Sequence, residues 1–342
     1  MMIKKKARLP LLLLVLAAAG LLGAGCGGTK PPEQTETAAP ESQGEDFTQI
    51  FTEPIEIICP WVEGGSSDIN ARTIGQVISE MTGQTVMVSN RTGGGGAVGF
   101  SEQLAAEADG YHLGIITAEL NTLPAQGSVS FSQKDFYPII RMNTVPACVA
   151  VRKDAPYQTL EELISYAKDH PGELRTGNVG PGSIWHICAA KLEREAGITL
   201  DSHSYDGAAA AAEALAGGEL ELVTVETSVM QPYVESGQVK ILAVMAEERL
   251  LSFPQYPTCK ELGYNVVGGS FQGMVCYMEV PQEKKEALER LFSKAYFSQS
   301  YQTFCSTYGL ERSFLPSADF RTFLEENQEE VENMMEDLKL TE

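Results

Sequence analysis

Short apolar runs alternate along this chain with amphipathic stretches. Ile55-Glu56-Ile57-Ile58-Cys59 has the length and composition of a buried strand. Beyond it, Ile74, Val77, Ile78 and Met81 recur three or four residues apart, the spacing of one helical face. The pattern continues with a strand over 85–89, a helix over about 97–106 and a strand over 111–117. It restarts downstream with a strand at 149–151, a helix over 160–168, a strand over 174–179 and a helix carrying Ile187, Ala190 and Leu192. Strands at 202–205, 220–225 and 240–245 follow, together with an alanine-rich helix over 208–216. Towards the C-terminus, 273–277 is strand-like and could return the chain to its first half, while periodicity predicts helices over 284–297 and 320–338. Strands alternating with helices predict an α/β protein with parallel sheet and crossover connections, whose ligands bind at the carboxyl ends of the strands.

Two glycine-rich loops stand at such ends. Pro60-Trp61-Val62-Glu63-Gly64-Gly65-Ser66-Ser67-Asp68 joins the first strand to the first helix. A strand running through glycines into a helix start aims free backbone N–H groups and the positive end of the helix dipole at one point. That point is a seat for a carboxylate or another anion. Gly180-Pro181-Gly182-Ser183 repeats the arrangement, so two lobes facing each other are expected. The only two tryptophans, Trp61 and Trp185, lie at these loops. Stacking on a ligand is one expectation for them, and packing of each loop onto its own lobe is the other. Asp68 has the same two readings: an acid complementing the dipole of its helix, or a ligand contact.

Composition changes this picture at the N-terminus. Of the 342 residues, the first 25 carry Lys4, Lys5, Lys6 and Arg8, then an apolar run from Leu11 to Leu22, then Gly23-Ala24-Gly25 before Cys26. This is an export signal, its apolar run too short to span a bilayer. Cys26 after small residues resembles a bacterial lipobox, with Leu22 one place further from the cysteine than is usual. The following stretch, GGTKPPEQTETAAPESQGED, has almost no large apolar side chains and is expected to act as a disordered tether. The formal net charge is −21, and loss of the basic leader leaves the remainder more acidic still, which argues against nucleic acid and polybasic membrane contact. Of the six further cysteines, Cys59, Cys148, Cys188 and Cys276 sit in apolar runs, so mostly reduced, buried thiols are expected, although six permit three disulfides. No zinc spacing is present.

Catalytic motifs are few. Gly94-x-Gly96-x-x-Gly99 has the form of a dinucleotide fingerprint, but it does not lie at the first βα turn, and nicotinamide dinucleotides are scarce outside the cell. The histidines His112, His170, His186 and His203 are scattered, with no nucleophile elbow, P-loop or zincin motif. No catalytic constellation or cofactor is expected. The acidic run from Glu325 to Glu332 is expected to be a solvated helix face.

Several stretches carry a resemblance: Ile58-Cys59-Pro60-Trp61 with Gly64-Gly65-Ser66-Ser67-Asp68, Val88-Ser89-Asn90-Arg91-Thr92-Gly93-Gly94, Ala108-Asp109-Gly110-Tyr111, Gly177-Asn178-Val179-Gly180-Pro181-Gly182-Ser183, Ser204-Tyr205-Asp206-Gly207-Ala208 and Gly217-Gly218-Glu219-Leu220. In order and spacing the chain resembles the solute receptors of tripartite tricarboxylate transporters, also called Bug receptors. The resemblance implies a two-lobed type II periplasmic-binding-protein fold closing on a small molecule like a hinge. It divides the chain into a signal over 1–25, a tether over 26–46, lobe one over 47–146 and 268–342, and lobe two over 147–267. Carried over by position, it implies ligand contacts from Gly64, Gly65, Ser66, Ser67, Asp68, Thr117 and Ala118 in lobe one, and from Asn178, Gly180, Ser183, Tyr205 and Glu226 in lobe two, the last where Asp is usual. Trp61 and Trp185 join these candidates only through their place at the two loops.

The implied partners are a small carboxylate, amino-acid or aromatic-acid ligand, the large and small membrane subunits of a secondary transporter, and a membrane reached through a lipid on Cys26. A receptor of the same fold that signals to a sensor protein is the alternative, and an exported enzyme a third. Glu63, Glu119, Trp185 and Asp206 depart from the residue types usual at their positions. With Glu226, the acidic ones add carboxylates around a site otherwise built for an anion, which points to a ligand with one carboxylate and an ammonium or neutral polar end.

Overall fold

The computed structural model describes residues 47–308 and 310–339, which fall in one compact unit spanning 39–342. The leader, Cys26 and the tether lie outside the described residues. In chain order the elements are β1 (Ile55–Cys59), α1 (Ser66–Thr82), β2 (Val86–Asn90), α2 (Ala97–Ala105), β3 (His112–Ile116), α3 (Glu119–Ala125), β4 (Phe136–Pro146) and β5 (Cys148–Arg152). There follow α4 (Leu160–Asp169), β6 (Arg175–Asn178), α5 (Ile184–Ala196), β7 (Asp201–Ser204), α6 (Ala208–Gly217), β8 (Leu222–Val223), α7 (Thr227–Glu235) and β9 (Val239–Val244). The chain closes with β10 (Gly269–Tyr277), α8 (Gln282–Tyr296), α9 (Gln299–Tyr308), β11 (Glu311–Pro316) and α10 (Ser317–Asp337).

The strands form two sheets, ordered β11-β4-β10-β3-β1-β2 and β7-β6-β8-β5-β9, and helices cover both, giving a bilobed α/β fold. The apolar spacing of α1 works as its sequence suggests: Ala71, Ile74, Val77 and Ile78 are buried and share one apolar cluster with Ile55 and Ile57 of β1. Gly83 in the left-handed region ends that helix.

Both sheets are mixed rather than parallel. β1 pairs in parallel with β2 and β3, and β6 with β7 and β8, but β10 runs antiparallel to β3 and β4, and β5 antiparallel to β8 and β9. The cause is the long excursion of β4 and β10, which link the sheets and so cannot obey the local crossover rule. β4 escapes a reading from sequence because Pro138 and Pro146 interrupt it, and proline within a run argues against a strand. Here Pro146 ends the strand and Pro138 stands at a register shift opposite Val275.

The six cysteines among the described residues are free and buried, so none staples the fold. Burial pushes the Cys148 thiol far above its ordinary value and that of Cys276 up to about 12, so both behave as small apolar groups.

The chain crosses between the sheets at Ala147 and again at Gly268, and the crossings are laced together. Ala147 N–H donates to Gly268 C=O (2.9 Å), Gly268 N–H to Met245 C=O (3.0 Å) and Met245 N–H to Ala147 C=O (2.8 Å). Gly269 has φ of 146°, and a Cβ there would stand 2.3 Å from Val145 O and 2.7 Å from Pro146 Cα. Only glycine lets the two strands approach this closely. Gly269→Ala is therefore expected to cost at least about 2 kcal/mol. Gly237→Ala, at a positive φ with open space around it, is expected to cost only about 1 kcal/mol. Urea unfolding of both variants checks this, and equal losses would contradict the close-approach argument.

Candidate functional site

Because β1, β2 and β3 run parallel, their carboxyl ends at Cys59, Asn90 and Ile116 reach one edge of the sheet. The 60–65 loop leaves that edge and enters α1 at Ser66, with Gly65 as N-cap and no side chain capping the first turn. The loop is braced by Asp68, 1% exposed. Its Oδ2 accepts from Gly64 N–H (2.9 Å) and Arg72 Nε (3.0 Å), and its Oδ1 accepts from Asn90 Nδ2 (2.8 Å) and Arg72 Nη2 (2.9 Å). Burial acts to raise the Asp68 pKa, but the bonds from Arg72, Gly64 and Asn90 outweigh it and hold the carboxyl below its usual range. With its oxygens taken by the loop's own donors, Asp68 fixes the seat. Asn90 Nδ2 also donates to Trp61 C=O (2.8 Å), which ties the start of the loop to β2.

The fingerprint-like glycines are explained by the same loop. A Cβ on Gly99 would lie 2.7 Å from Pro60 Cα and 2.8 Å from Arg91 O, so this glycine lets α2 pack directly beneath Pro60. The half-buried Trp61 ring comes within 3.5 Å of where a Gly96 Cβ would stand.

Two serines occupy the first turn of α1. Ser66 is exposed and Ser67 buried, and both hydroxyl oxygens accept from the amide of Gln272 on β10, at 3.2 and 3.1 Å. Thr117 and Ala118 follow β3 as expected. Ala118 N–H donates to Ser270 Oγ (3.3 Å), and the Thr117 hydroxyl donates to the Glu119 carboxylate (2.5 Å). Glu119 begins α3 rather than ending the strand, and burial raises its pKa against that hydrogen bond.

In lobe two, Asn178 ends β6 and organises the loop after it. Its Oδ1 accepts Gly180 N–H (2.8 Å), its Nδ2 donates to Ser202 Oγ (2.6 Å), and its C=O accepts Tyr205 N–H (2.8 Å). Ser183 is the N-cap of α5, its hydroxyl accepting His186 N–H (3.3 Å). His186 Nδ1 in turn accepts Gly182 N–H (3.0 Å), and burial lowers the pKa of the ring, which keeps that acceptor free of a proton. Trp185 is 9% exposed and packs in the cluster that includes Cys188 and Val223, while its C=O accepts the Thr224 hydroxyl (3.1 Å).

A recess of about 380 Å3, part of it open solvent, lies against the crossing strands. It is lined by Ser66 from lobe one, Val145 and Pro146 from the crossing, Glu226 and Thr227 at the start of α7, and Glu311 from β11. Ser66 and Glu226 are thus brought together, whereas Trp61, Gly64, Thr117, Asn178, Gly180 and Tyr205 do not line this recess. Burial, reinforced by the nearby negative charge of Glu119, pushes the Glu226 carboxyl up to about 7. Asp206 and Glu63 are exposed.

Three features of the cleft escape sequence reasoning. Gln272 lies just before the stretch recognised as β10, and only its polar side chain inside an apolar strand signals a role. Glu311 accepts Leu251 N–H (2.9 Å) and Ser252 N–H (3.2 Å) with its two carboxylate oxygens, a tie between lobes that no spacing reveals. The α10 helix packs Val331, Met334 and Met335 against Ile187 and Ala190 of α5. Lys191–Glu330 (2.6 Å) and Arg194–Asp337 (3.0 Å) flank that contact. Among the described residues, no group of three His, Cys, Asp or Glu side chains is placed to hold a metal ion, and no helix is long and apolar enough to cross a membrane.

The model of the tripartite tricarboxylate transporter family receptor matches residues 70–340. The UPF0065 protein in gbd 5' region of Cupriavidus necator is 29% identical over 301 residues, covering 88% of this chain and 91% of its own. A crystal structure of a TctC solute binding protein from Polaromonas superposes with a TM-score of 0.74 at 30% identity, over 83% of this chain and 98% of that one. The R. palustris protein Rpa4515, solved with adipate, superposes with a TM-score of 0.72 at 25% identity, over 83% and 96%. Two lobes, a carboxyl-end cleft and a family match spanning most of the chain agree: this protein belongs to the tripartite tricarboxylate transporter family of solute receptors.

Proposed function

We propose that this receptor captures a small solute with one carboxylate and one cationic or hydrogen-bond-donating end, an amino acid being the simplest case, and delivers it to the membrane subunits of a secondary transporter. The carboxylate end sits on the turn formed by Gly64, Gly65, Ser66 and Ser67, where the N–H groups of Ser66 and Ser67 meet the α1 dipole; those of Gly64 and Gly65 are held by Asp68 and Val62 and shape the turn. Thr117, Ala118, Asn178, Gly180, Ser183 and Tyr205 complete the seat as the lobes close. The donor end faces Glu226, with Glu119 behind it. One observation carries the reading: Ser66 and Glu226, an anion seat and a carboxyl with a raised pKa, line the same recess from opposite lobes. A second carboxylate on the ligand would meet those acids at close range, each contact costing on the order of 1 kcal/mol or more. Adipate in the R. palustris relative supports the carboxylate half of the reading. Acylation of Cys26 would hold the receptor at the membrane on a short tether.

Calorimetry with amino acids, adipate and citrate tests the ligand class. An amino acid is expected to bind at least tenfold more tightly than citrate, and tight binding of citrate alone would sink the proposal. Glu226→Gln should abolish that discrimination.

The same variant has a consequence for the empty protein. A carboxyl raised to about 7 contributes stability that is complete below its unfolded pKa, near 4, and is lost as pH rises towards 7. Glu226→Gln should match the parent at pH 4 and exceed it at pH 8 by roughly 3 kcal/mol. Thermal melts across that range give the answer, and parallel curves would remove Glu226 as the titrating group.

For the anchor, Cys26→Ala should move the exported protein from the membrane fraction to the soluble one. Retention on membranes would overturn the lipid attachment.

A further inference from the structure

Four polar side chains are enclosed beneath the 64–67 loop. Asn70 and Asn143 are 0% exposed, Tyr301 0% and Gln272 2%. Groups this deep in an apolar cluster are costly unless hydrogen bonds satisfy them; Asn143 Nδ2 is left without a partner, but the bonds of Tyr301, Asn70 and Gln272 form a chain with a direction. The Tyr301 hydroxyl donates to Asn70 Oδ1 (2.7 Å). That turns the Asn70 amide nitrogen towards Gln272 Oε1 (2.6 Å), with Asn143 Oδ1 a longer second acceptor at 3.3 Å. Gln272 is in turn left with its NH2 facing the loop, where it donates to Ser66 Oγ and Ser67 Oγ. Burial raises the Tyr301 pKa well above its ordinary value, so the phenol keeps the proton that starts the chain.

An amide has two N–H groups, and Gln272 spends both on the serines. Each serine oxygen therefore accepts from Gln272, and each O–H proton must be given elsewhere. Ser183 at the start of α5 is used differently, because its hydroxyl caps its own helix. The α1 serines do no capping, since Gly65 is the N-cap. They stand beside uncapped N–H groups as two further donors, and Ser66 opens onto the recess.

We infer that the buried relay Tyr301–Asn70–Gln272 fixes the Ser66 and Ser67 hydroxyls as donors, making Gln272 the positioning residue by which this receptor distinguishes a carboxylate from its uncharged amide. The inference rests on the proposed reading that the 64–67 loop seats a carboxylate. A seat made only of donors favours an acceptor-only group and rejects an amide NH2, which brings donors of its own. Remove the orienting amide and the hydroxyls become free to rotate, so the same loop accepts as readily as it donates.

The test compares matched pairs by calorimetry: adipate with adipamide, benzoate with benzamide, and alanine with alaninamide. The wild type is expected to favour the carboxylate of a binding pair by at least tenfold. Gln272→Met and Tyr301→Phe should each narrow that ratio, by roughly three- to tenfold, although neither side chain touches the ligand. Tyr301→Phe keeps shape and charge, so it reports on hydrogen-bond direction even if Gln272→Met folds poorly. Melting of the unliganded variants measures the purely structural cost. A relay that only supports the fold would weaken both members of a pair by the same factor, and an unchanged ratio in a folded Tyr301→Phe protein overturns the inference. Should the wild type bind no carboxylate in any pair, the carboxylate reading itself fails and the relay's role falls with it.

Discussion

Everything in the cleft depends on the close approach of two crossing strands. At Gly269 the backbone of β10 lies so near Val145 and Pro146 that no side chain fits between them. That contact fixes where β10 runs, and β10 carries Ser270 and Gln272, which hold Ala118 and the two α1 serines. The same crossing supplies Val145 and Pro146 to the recess wall. The structural joint and the side chains that hold the proposed seat from beneath therefore lie within four residues of one strand, so a shift at Gly269 would alter the hydrogen bonds that Ser270 and Gln272 make to it.

A protein with a formal charge of −21 that seats an anion poses an electrostatic problem. Local arrangement answers it. The Asp68 carboxylate is consumed by Arg72, Asn90 and Gly64, so the acid nearest the seat is neutralised within the loop. Glu226 is pushed up to about 7 and Glu119 is raised as well, so near neutral pH the pair carries less than its formal charge. The remaining acids, such as those on the outer face of α10, are exposed and screened over a Debye length of about 8 Å. Backbone dipoles at the start of α1 act at contact distance, where screening is weakest.

Legibility from sequence followed the range of the interactions involved. Periodicity located β1, α4 and α6 almost to the residue and named buried face positions of α1 and α5, because each buries a face set by local spacing. It missed β4, whose two prolines are tolerated only through a register shift and a strand end formed with distant β10. It overextended β8, a run of apolar residues of which only Leu222 and Val223 pair. The seat itself was visible as glycines and serines between a strand and a helix. Gln272 was not, since its meaning depends on Asn70 and Tyr301 being brought beneath the loop from 202 residues before it and 29 after. Of the two tryptophans expected at the glycine loops, Trp61 lies half-buried in the 60–65 loop, whereas Trp185 lies in the first turn of α5 and packs into the lobe-two core.

The lobe closure proposed above would work against ties that already join the lobes. The Glu311 carboxylate holds two backbone N–H groups of the 251–252 segment, and Lys191 and Arg194 pair with Glu330 and Asp337 of α10 beside an apolar contact. The ion pairs are partly exposed and worth at most about 1 kcal/mol each. A ligand can shift the balance of two conformations only by its difference in affinity for them. Weak ties on both flanks of the cleft suit that requirement, since each can be exchanged at the cost of about 1 kcal/mol or less. In a receptor that must also release its solute, the lobes need contacts strong enough to give a ground state and weak enough to be exchanged.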